Sequence, residues 1–138
     1  MKRDSEALKL RTKDFALRFL RLYRSLPRTP EARILGTQLL RCSTSIGANY
    51  RAACRGRSRA EFVAKLGIVL GEADETVLGL ELFEEGNIFP AEKLRDLVQA
   101  ANEQVSIFVS SVRPAKGVCN LTSNLSPSEF LFRPSAKQ

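Results

Sequence analysis

Arginine is the residue type whose number and spacing in this chain indicate chemistry. On a helical wheel of about 100° per residue, one narrow stripe away from the apolar positions holds Arg33, Arg41, Arg51 and Arg55. No acidic residue follows Glu31 on this segment to pair with them. Because a guanidinium presents a planar fork of donors that matches phosphate oxygens, the stripe predicts contact with backbone phosphates, largely independent of nucleotide sequence.

Other cations extend this stripe, and one aromatic residue lies near it. Tyr50 is a candidate for stacking on a base. A charged stripe can also be a solvated face with no ligand, but arginine predominates here and interleaved acids are almost absent. We therefore predict a nucleic-acid-binding surface formed by Arg33, Arg41, Arg51, Arg55, Arg57, Arg59, Lys13 and Arg24.

The net charge of +7 is unevenly distributed. Residues 1–60 carry fifteen Lys and Arg against four Asp and Glu, whereas residues 61–87 carry one Lys and seven acids. A basic half and an acidic segment indicate either a polyanionic partner or polar self-association. In the second case a neighbouring subunit neutralises part of the arginine stripe with Glu72, Asp74, Glu75, Glu81, Glu84 and Glu85.

Several function classes are excluded by what the sequence lacks. The chain has no His, which removes Ser-His-Asp and Cys-His catalysis and His-ligated metals. Cys42, Cys54 and Cys119 have no C-x-x-C spacing and are too few for a zinc site. Cys54 lies beside arginines, but with no base in sight we favour a core or interface cysteine. We predict a non-enzymatic protein with no metal and no cofactor.

The location follows from hydropathy. No apolar run reaches 18 residues, and the first residues do not resemble a signal peptide. We therefore predict a cytoplasmic protein that does not bind a membrane.

Helical periodicity of apolar residues runs through most of the chain. Thr29 before Pro30 and the capping box from Ser58 to Glu61 mark two helix starts. The predicted helices cover residues 5–26, 30–55, 59–86 and 90–113, with Pro114 closing the last. Short connections predict one domain over residues 1–113, an all-α, antiparallel, up-down-up-down four-helix bundle. Residues 114–138 are predicted to form a flexible tail, whose Phe130-Leu131-Phe132 either docks on a neighbour or stays unburied.

Two helices carry a second row of small and apolar residues. The core stripe of the third helix is predicted to follow Phe62, Leu66, Val69, Ala73, Val77, Leu80 and Glu84. Opposite it lie Val63, Gly67, Gly71, Leu78 and Leu82, and the second helix has a similar row of Gly36, Leu40, Ser43 and Gly47. A glycine within a helix costs about 1 kcal/mol relative to alanine. We predict a homo-oligomer interface at both rows, the alternative being tight packing inside one bundle.

The central segment carries a family resemblance in three elements that arrive in order. They are Gln38-Leu39-x-Arg41, Ser45-Ile46-x-x-Asn49 and Arg57-Ser58-x-x-Glu61-Phe62. Over about residues 10–113 the chain resembles the bacterial four-helix bundle family first described from open reading frames in 23S rRNA intervening sequences. Where many members have Asn-Ile-Ala-Glu-Gly, this chain has Asn49-Tyr50-Arg51-Ala52-Ala53.

The resemblance implies a homo-pentameric ring with no known catalytic activity. It also implies kinship with the accessory variability protein of diversity-generating retroelements, which binds a reverse transcriptase and nucleic acid. We therefore expect a basic nucleic-acid-binding accessory protein, most concretely a reverse-transcriptase subunit or a binder of structured RNA. The alternative is a scaffold whose basic surface recruits an acidic protein.

Overall fold

Four α-helices make up the computed structural model, which describes residues 2–116. They are α1 (Lys2–Ser25), α2 (Pro30–Cys54), α3 (Arg59–Glu85) and α4 (Ala91–Lys116). No strand occurs among these residues, so the prediction of an all-α fold with four helices is confirmed. The predicted tail, including Cys119 and Phe130–Phe132, falls beyond residue 116 and lies outside the described residues.

The helix starts follow from side chains that satisfy free backbone amides. Thr29 accepts a hydrogen bond from the Ala32 N–H at 3.3 Å, and Ser58 accepts one from the Glu61 N–H at 3.1 Å. The predicted end of the fourth helix is wrong, because α4 continues through Pro114 to Lys116. A proline in the last turn of a helix removes only one backbone hydrogen bond. It does not kink the helix, because the helix ends shortly after it.

One apolar core receives side chains from all four helices. Phe19, Ile46, Phe83 and Phe108 are among its fully buried members. The predicted core stripe of α3 is wrong at its end, since Glu84 is exposed and Phe83 is buried instead. The buried residues Val69, Thr76 and Phe83 lie seven positions apart, so the core seam keeps the heptad repeat and Glu84 lies one residue outside it.

The small residues of α2 lie inside the chain, against α1. A Cβ atom at Gly36 would meet the side chains of Leu26 and Tyr23, and one at Gly47 would meet Thr12 at 3.4 Å. Ser43 is fully buried, and Leu40 packs against the core. Within one chain this row allows the close approach of α1 to α2, which favours the alternative of tight packing inside one bundle over an oligomer interface.

The helices described between residues 2 and 116 include none that is both long enough and apolar enough to cross a membrane.

Candidate nucleic-acid interface

The turn between α2 and α3 gathers five cations, which we call the basic corner. A cleft of about 400 Å³ lies here between the last turn of α2 and the first turns of α3, with Arg55, Arg57 and Lys65 in its lining. Arg51 lies one helical turn before Arg55, and Arg59 begins α3. All five of these side chains belong to exposed residues. The corner therefore presents its positive charge to solvent.

Glu61, the one acidic residue among the described residues that line this cleft, is hydrogen-bonded to the backbone. The Glu61 carboxylate accepts a hydrogen bond of 2.7 Å from the Arg57 N–H, while the Glu61 N–H donates to Ser58 Oγ. The capping box thus closes one residue further out than its usual form, in which the carboxylate reaches the N-cap amide. Glu61 fixes the turn, and its one negative charge does not balance the five positive charges.

None of the basic-corner side chains forms an ion pair within the described part of the chain. Clustered arginine and lysine without acidic partners can replace the counterions around nucleic-acid phosphates, which favours binding at low salt. Arginine forks also hold phosphate oxygens in a bidentate manner. The chemistry that this arrangement offers is the binding of a polyanion.

Arg41 lies on the same helix but has a different environment. Its guanidinium lies 3.5 Å from Glu72 Oε1 and 3.4 Å from Glu75 Oε2, both on α3 of the same chain. Arg41, which the sequence pattern groups with the predicted nucleic-acid-binding arginines, is thus paired with acids of α3, unlike Arg51 and Arg55. The acidic helix does neutralise part of the stripe, but it does so within one chain.

The same two carboxylates, together with the Cys42 thiol, form a set of ligand atoms that could hold a metal ion. Ligand atoms of Cys42, Glu72 and Glu75 lie within 4.8 Å of one another. Burial and the hydrogen bond from Cys42 Sγ to Glu75 Oε2 at 3.1 Å raise the pKa of this thiol to about 12. A neutral thiol is a poor metal ligand, and the Arg41 guanidinium already supplies positive charge. The cluster is therefore an ion-pair network of Arg41 with Glu72 and Glu75.

The remaining predicted binding residues are not part of the basic corner. Arg33 precedes Arg51 by eighteen positions, about 27 Å along α2. Lys13 and Arg24 share the exposed face of α1 with Leu10 and Leu17. Together with Arg41, four of the eight predicted cations thus lie outside the basic corner.

The predicted stacking residue is also in another place. Tyr50 is buried, with 6% of its surface exposed, and its ring packs on Phe108 at 5.8 Å between centroids. Burial raises the pKa of its hydroxyl above the ordinary range. Tyr50 is a core residue, and the prediction that it stacks on a base is wrong.

An exposed apolar surface runs along α3, which we call the outer α3 face. Among the described residues, nothing lies within 4 Å of a Cβ atom built at Gly67 or at Gly71. Three large apolar side chains on this face keep roughly half of their surface in solvent: Ile68 at 46%, Leu78 at 55% and Leu82 at 43%. Val63, the fifth predicted residue, is half-buried. The predicted α3 row is therefore largely exposed in the single chain.

Sequence reasoning missed one member of the basic corner. Lys65 stands alone among acids in residues 61–87, which made it inconspicuous in a count of charge. The signal in the sequence is its spacing: Lys65 lies four residues after Glu61, on the same face of the first turns of α3, and therefore beside the α2–α3 turn.

Comparisons with known proteins agree with this fold. A family model described as 23S rRNA-intervening sequence protein matches residues 6–110. A crystal structure from Bacteroides thetaiotaomicron, described as a protein with unknown function from the S23 ribosomal protein family, is similar to the chain. The TM-score is 0.71 and the identity 34%, over 76% of this chain and 97% of that one. No curated protein matches the chain.

Proposed function

Because the chain belongs to the 23S rRNA-intervening sequence protein family, we propose that it is a non-enzymatic, homo-oligomeric accessory protein that binds nucleic acid through phosphate contacts. Its compartment in this proposal is the cytoplasm, and its helices form an antiparallel up-down-up-down bundle. The order of contacts between the first two helices supports that arrangement. Thr12 lies near Gly47, late in α2, whereas Leu26 lies near Gly36, early in α2, as expected for antiparallel neighbours.

The basic corner is the observation that carries the proposal. Three of its five exposed cations, Arg55, Arg57 and Lys65, line one cleft. The one carboxylate among the described lining residues, that of Glu61, accepts a hydrogen bond from the backbone N–H of Arg57. A solvated charged face usually intersperses both signs, which form i,i+4 pairs. Here no such pair forms among the described residues of the corner. A surface of this kind is suited to phosphates of either RNA or DNA.

The direct test measures affinity against salt by fluorescence anisotropy. The probes are a 30-nucleotide single strand of RNA, an RNA hairpin and a DNA duplex, each titrated between 50 and 200 mM KCl. For the full-length parent we expect the logarithm of the affinity to fall linearly with the logarithm of salt. A slope near zero on all three probes would exclude phosphate binding and favour a scaffold that recruits an acidic protein.

A charge-matched pair of variants localises the site. The first variant is Arg51→Glu/Arg55→Glu/Arg57→Glu at the basic corner. The second, Arg28→Glu/Lys93→Glu/Arg95→Glu, changes the net charge by the same amount at exposed positions outside the corner. We expect the first to weaken binding at 100 mM salt at least about tenfold more than the second. Equal losses in the two variants would contradict a localised site.

The outer α3 face supports the homo-oligomer. Gly67 and Gly71, which have no neighbour within 4 Å of a built Cβ in the described part of the chain, cost about 1 kcal/mol each relative to alanine. The close approach of a helix from another copy would explain why glycine is present at these positions. The same contact would also bury the exposed side chains of Ile68, Leu78 and Leu82. The family resemblance supports a pentameric ring as the form of this oligomer.

The charges beside the exposed leucines favour contact between different faces of two copies. Leu78 and Leu82 lie among acids, including Asp74 and Glu81, so two outer α3 faces would repel each other. The exposed α1 face instead carries leucines together with Lys13 and Arg24. A contact of α1 with α3 of the next copy pairs opposite charges and, being head-to-tail, closes into a ring when the rotation permits.

The concrete role that we propose is that of a reverse-transcriptase accessory subunit or a binder of structured RNA. The family's link to 23S rRNA intervening sequences supports a nucleic-acid partner. A hairpin probe bound more tightly than a single strand of equal length would favour structured RNA. Co-purification with a reverse transcriptase encoded beside the gene would favour the accessory role.

A further inference from the structure

A large apolar groove lies beside the C-terminal part of α4. Its volume is about 970 Å³, and all four helices contribute to its lining. Leu8, Ala53, Phe62 and Ile107 form apolar parts of its wall, and Cys54 lies between them. Leu8, Cys54 and Phe62 are only partly buried, packed against the edge of the core. An apolar groove of this size in a single chain is a place where another apolar segment can be buried.

The sequence after α4 contains an apolar segment. Ile107 and Ser111 of α4 line it, and α4 ends at Lys116, about 7.5 Å beyond Ser111. The 22 residues that follow contain one run of three apolar residues, Phe130-Leu131-Phe132. Thirteen residues lie between Lys116 and Phe130, so fourteen Cα–Cα steps span up to about 46 Å when the chain is extended. The segment therefore starts near the groove and has ample length to return to it.

The charges that flank the apolar run match those on the groove. Glu129 precedes the run and Arg133 follows it. Arg59 and Asp4 are both among the groove residues, so each flanking charge has an opposite charge available.

We propose that Phe130-Leu131-Phe132 of each chain docks in this groove of the same chain. Two phenylalanines and a leucine offer apolar side chains that can cover the apolar wall of the groove. The short connection keeps their effective concentration in the millimolar range. The groove is separate from the basic corner except for Arg59, which belongs to both. Docking is thus a property of the chain that does not depend on nucleic-acid binding.

Disulfide trapping with the groove's own thiol tests the proposal. The background is the full-length chain with Cys119→Ser, which leaves Cys54 in the groove and Cys42 buried. Leu131→Cys is introduced into the docking run, and Gln138→Cys serves as the control at the chain end. Under mild oxidation we expect Leu131→Cys to form an intramolecular disulfide with Cys54 much faster than Gln138→Cys does. Equal rates for the two positions would overturn docking, and covalent dimers would show that the occupant comes from another copy.

Accessibility of Cys54 gives a second, independent measurement. In the same Cys119→Ser background, the rate of maleimide labelling at Cys54 is compared with and without Phe130→Ser/Phe132→Ser. A groove occupied about nine-tenths of the time predicts labelling about tenfold faster in the serine variant. The serine variant changes no residue of the four helices, so folding is not at risk. An unchanged labelling rate would overturn the proposal.

Discussion

Gly79 of α3 lies against Leu39 of α2, so closely that a Cβ atom at Gly79 would be 2.5 Å from Leu39 Cδ2 and 2.7 Å from its Cγ. Leu39 is 3% exposed and cannot swing away without displacing other core side chains. At Gly71, two turns earlier on the same helix, a built Cβ atom has nothing within 4 Å in residues 2–116. One glycine therefore permits packing inside the chain, and the other leaves open space at its surface.

This contrast predicts opposite effects of the same substitution. Gly79→Ala should lower the free energy of unfolding by about 1–3 kcal/mol, because the added methyl group overpacks the contact with Leu39. Gly71→Ala should raise the free energy of unfolding of the isolated chain by up to about 1 kcal/mol through helix propensity alone. Urea denaturation at a concentration where the chain is monomeric measures both. A loss of stability in Gly71→Ala under those conditions would contradict the open site.

The exposed leucines of α3 predict a second outcome, in assembly. Leu78→Gln/Leu82→Gln should change the unfolding free energy of the isolated chain by no more than about 0.5 kcal/mol each, as is usual for exposed sites. The solution mass by light scattering should fall toward that of a single chain. Ile34→Gln, at an exposed isoleucine on α2, is the control and should leave the mass unchanged. An unaltered mass in the leucine variant would remove the outer α3 face as an interface.

The sequence predicted the helices well because their signals are local. Thr29 and Ser58 each satisfy an amide three residues away, and such contacts depend on spacing along one chain. The outward direction of Arg51 and Arg55 is likewise a consequence of helical geometry. For the same reason the five-cation corner was largely visible, apart from Lys65.

What sequence reasoning missed depends on contacts between helices. Gly36 and Gly67 look alike as helical glycines, yet only Gly36 meets another helix. Similarly, nothing local distinguishes Arg41 from Arg55, and the carboxylates that pair with Arg41 lie more than thirty positions away. Helical periodicity indicates that a residue faces away from one helix's core stripe. It does not identify what stands opposite.

The different environments of two arginines on α2 predict different salt dependence of binding. Arg55→Gln removes an unpaired cation, and the slope of log affinity against log salt should become shallower by about 1. Arg41→Gln should change that slope little, because Glu72 and Glu75 already offset its charge. The same substitution should lower the thermal midpoint, since it leaves two neighbouring carboxylates without their cation.

The comparison uses the duplex DNA probe for both variants, with thermal midpoints measured in the same buffer. Arg28→Gln, an exposed cation in the turn between α1 and α2, controls for the loss of one charge. Equal slopes for Arg55→Gln and Arg41→Gln would contradict the distinction between the free and the paired arginine.

Cys42 predicts a loss of stability in alkaline solution. Burial raises the pKa of its thiol from an ordinary value of 9.0 to about 12 in the folded chain. Between these values the unfolded chain has released the proton and the folded chain still holds it. The free energy of unfolding therefore falls as the pH rises from about 9 to about 12, and below pH 9 this contribution to stability is fully present. One proton accounts for at most about 1.4 kcal/mol per pH unit.

Cys42→Ala removes this titration, so its unfolding free energy should decline less steeply than that of the parent between pH 9 and pH 11. Some decline remains, because burial also raises the pKa of Tyr50. Thr76→Ala, a truncation at a buried residue that does not titrate, should retain the parent's slope even if its stability is lower at every pH. Urea denaturation at pH 8, 9.5 and 11 gives the three slopes. If Cys42→Ala and the parent decline in parallel, the Cys42 thiol does not hold its proton in the folded chain above pH 9.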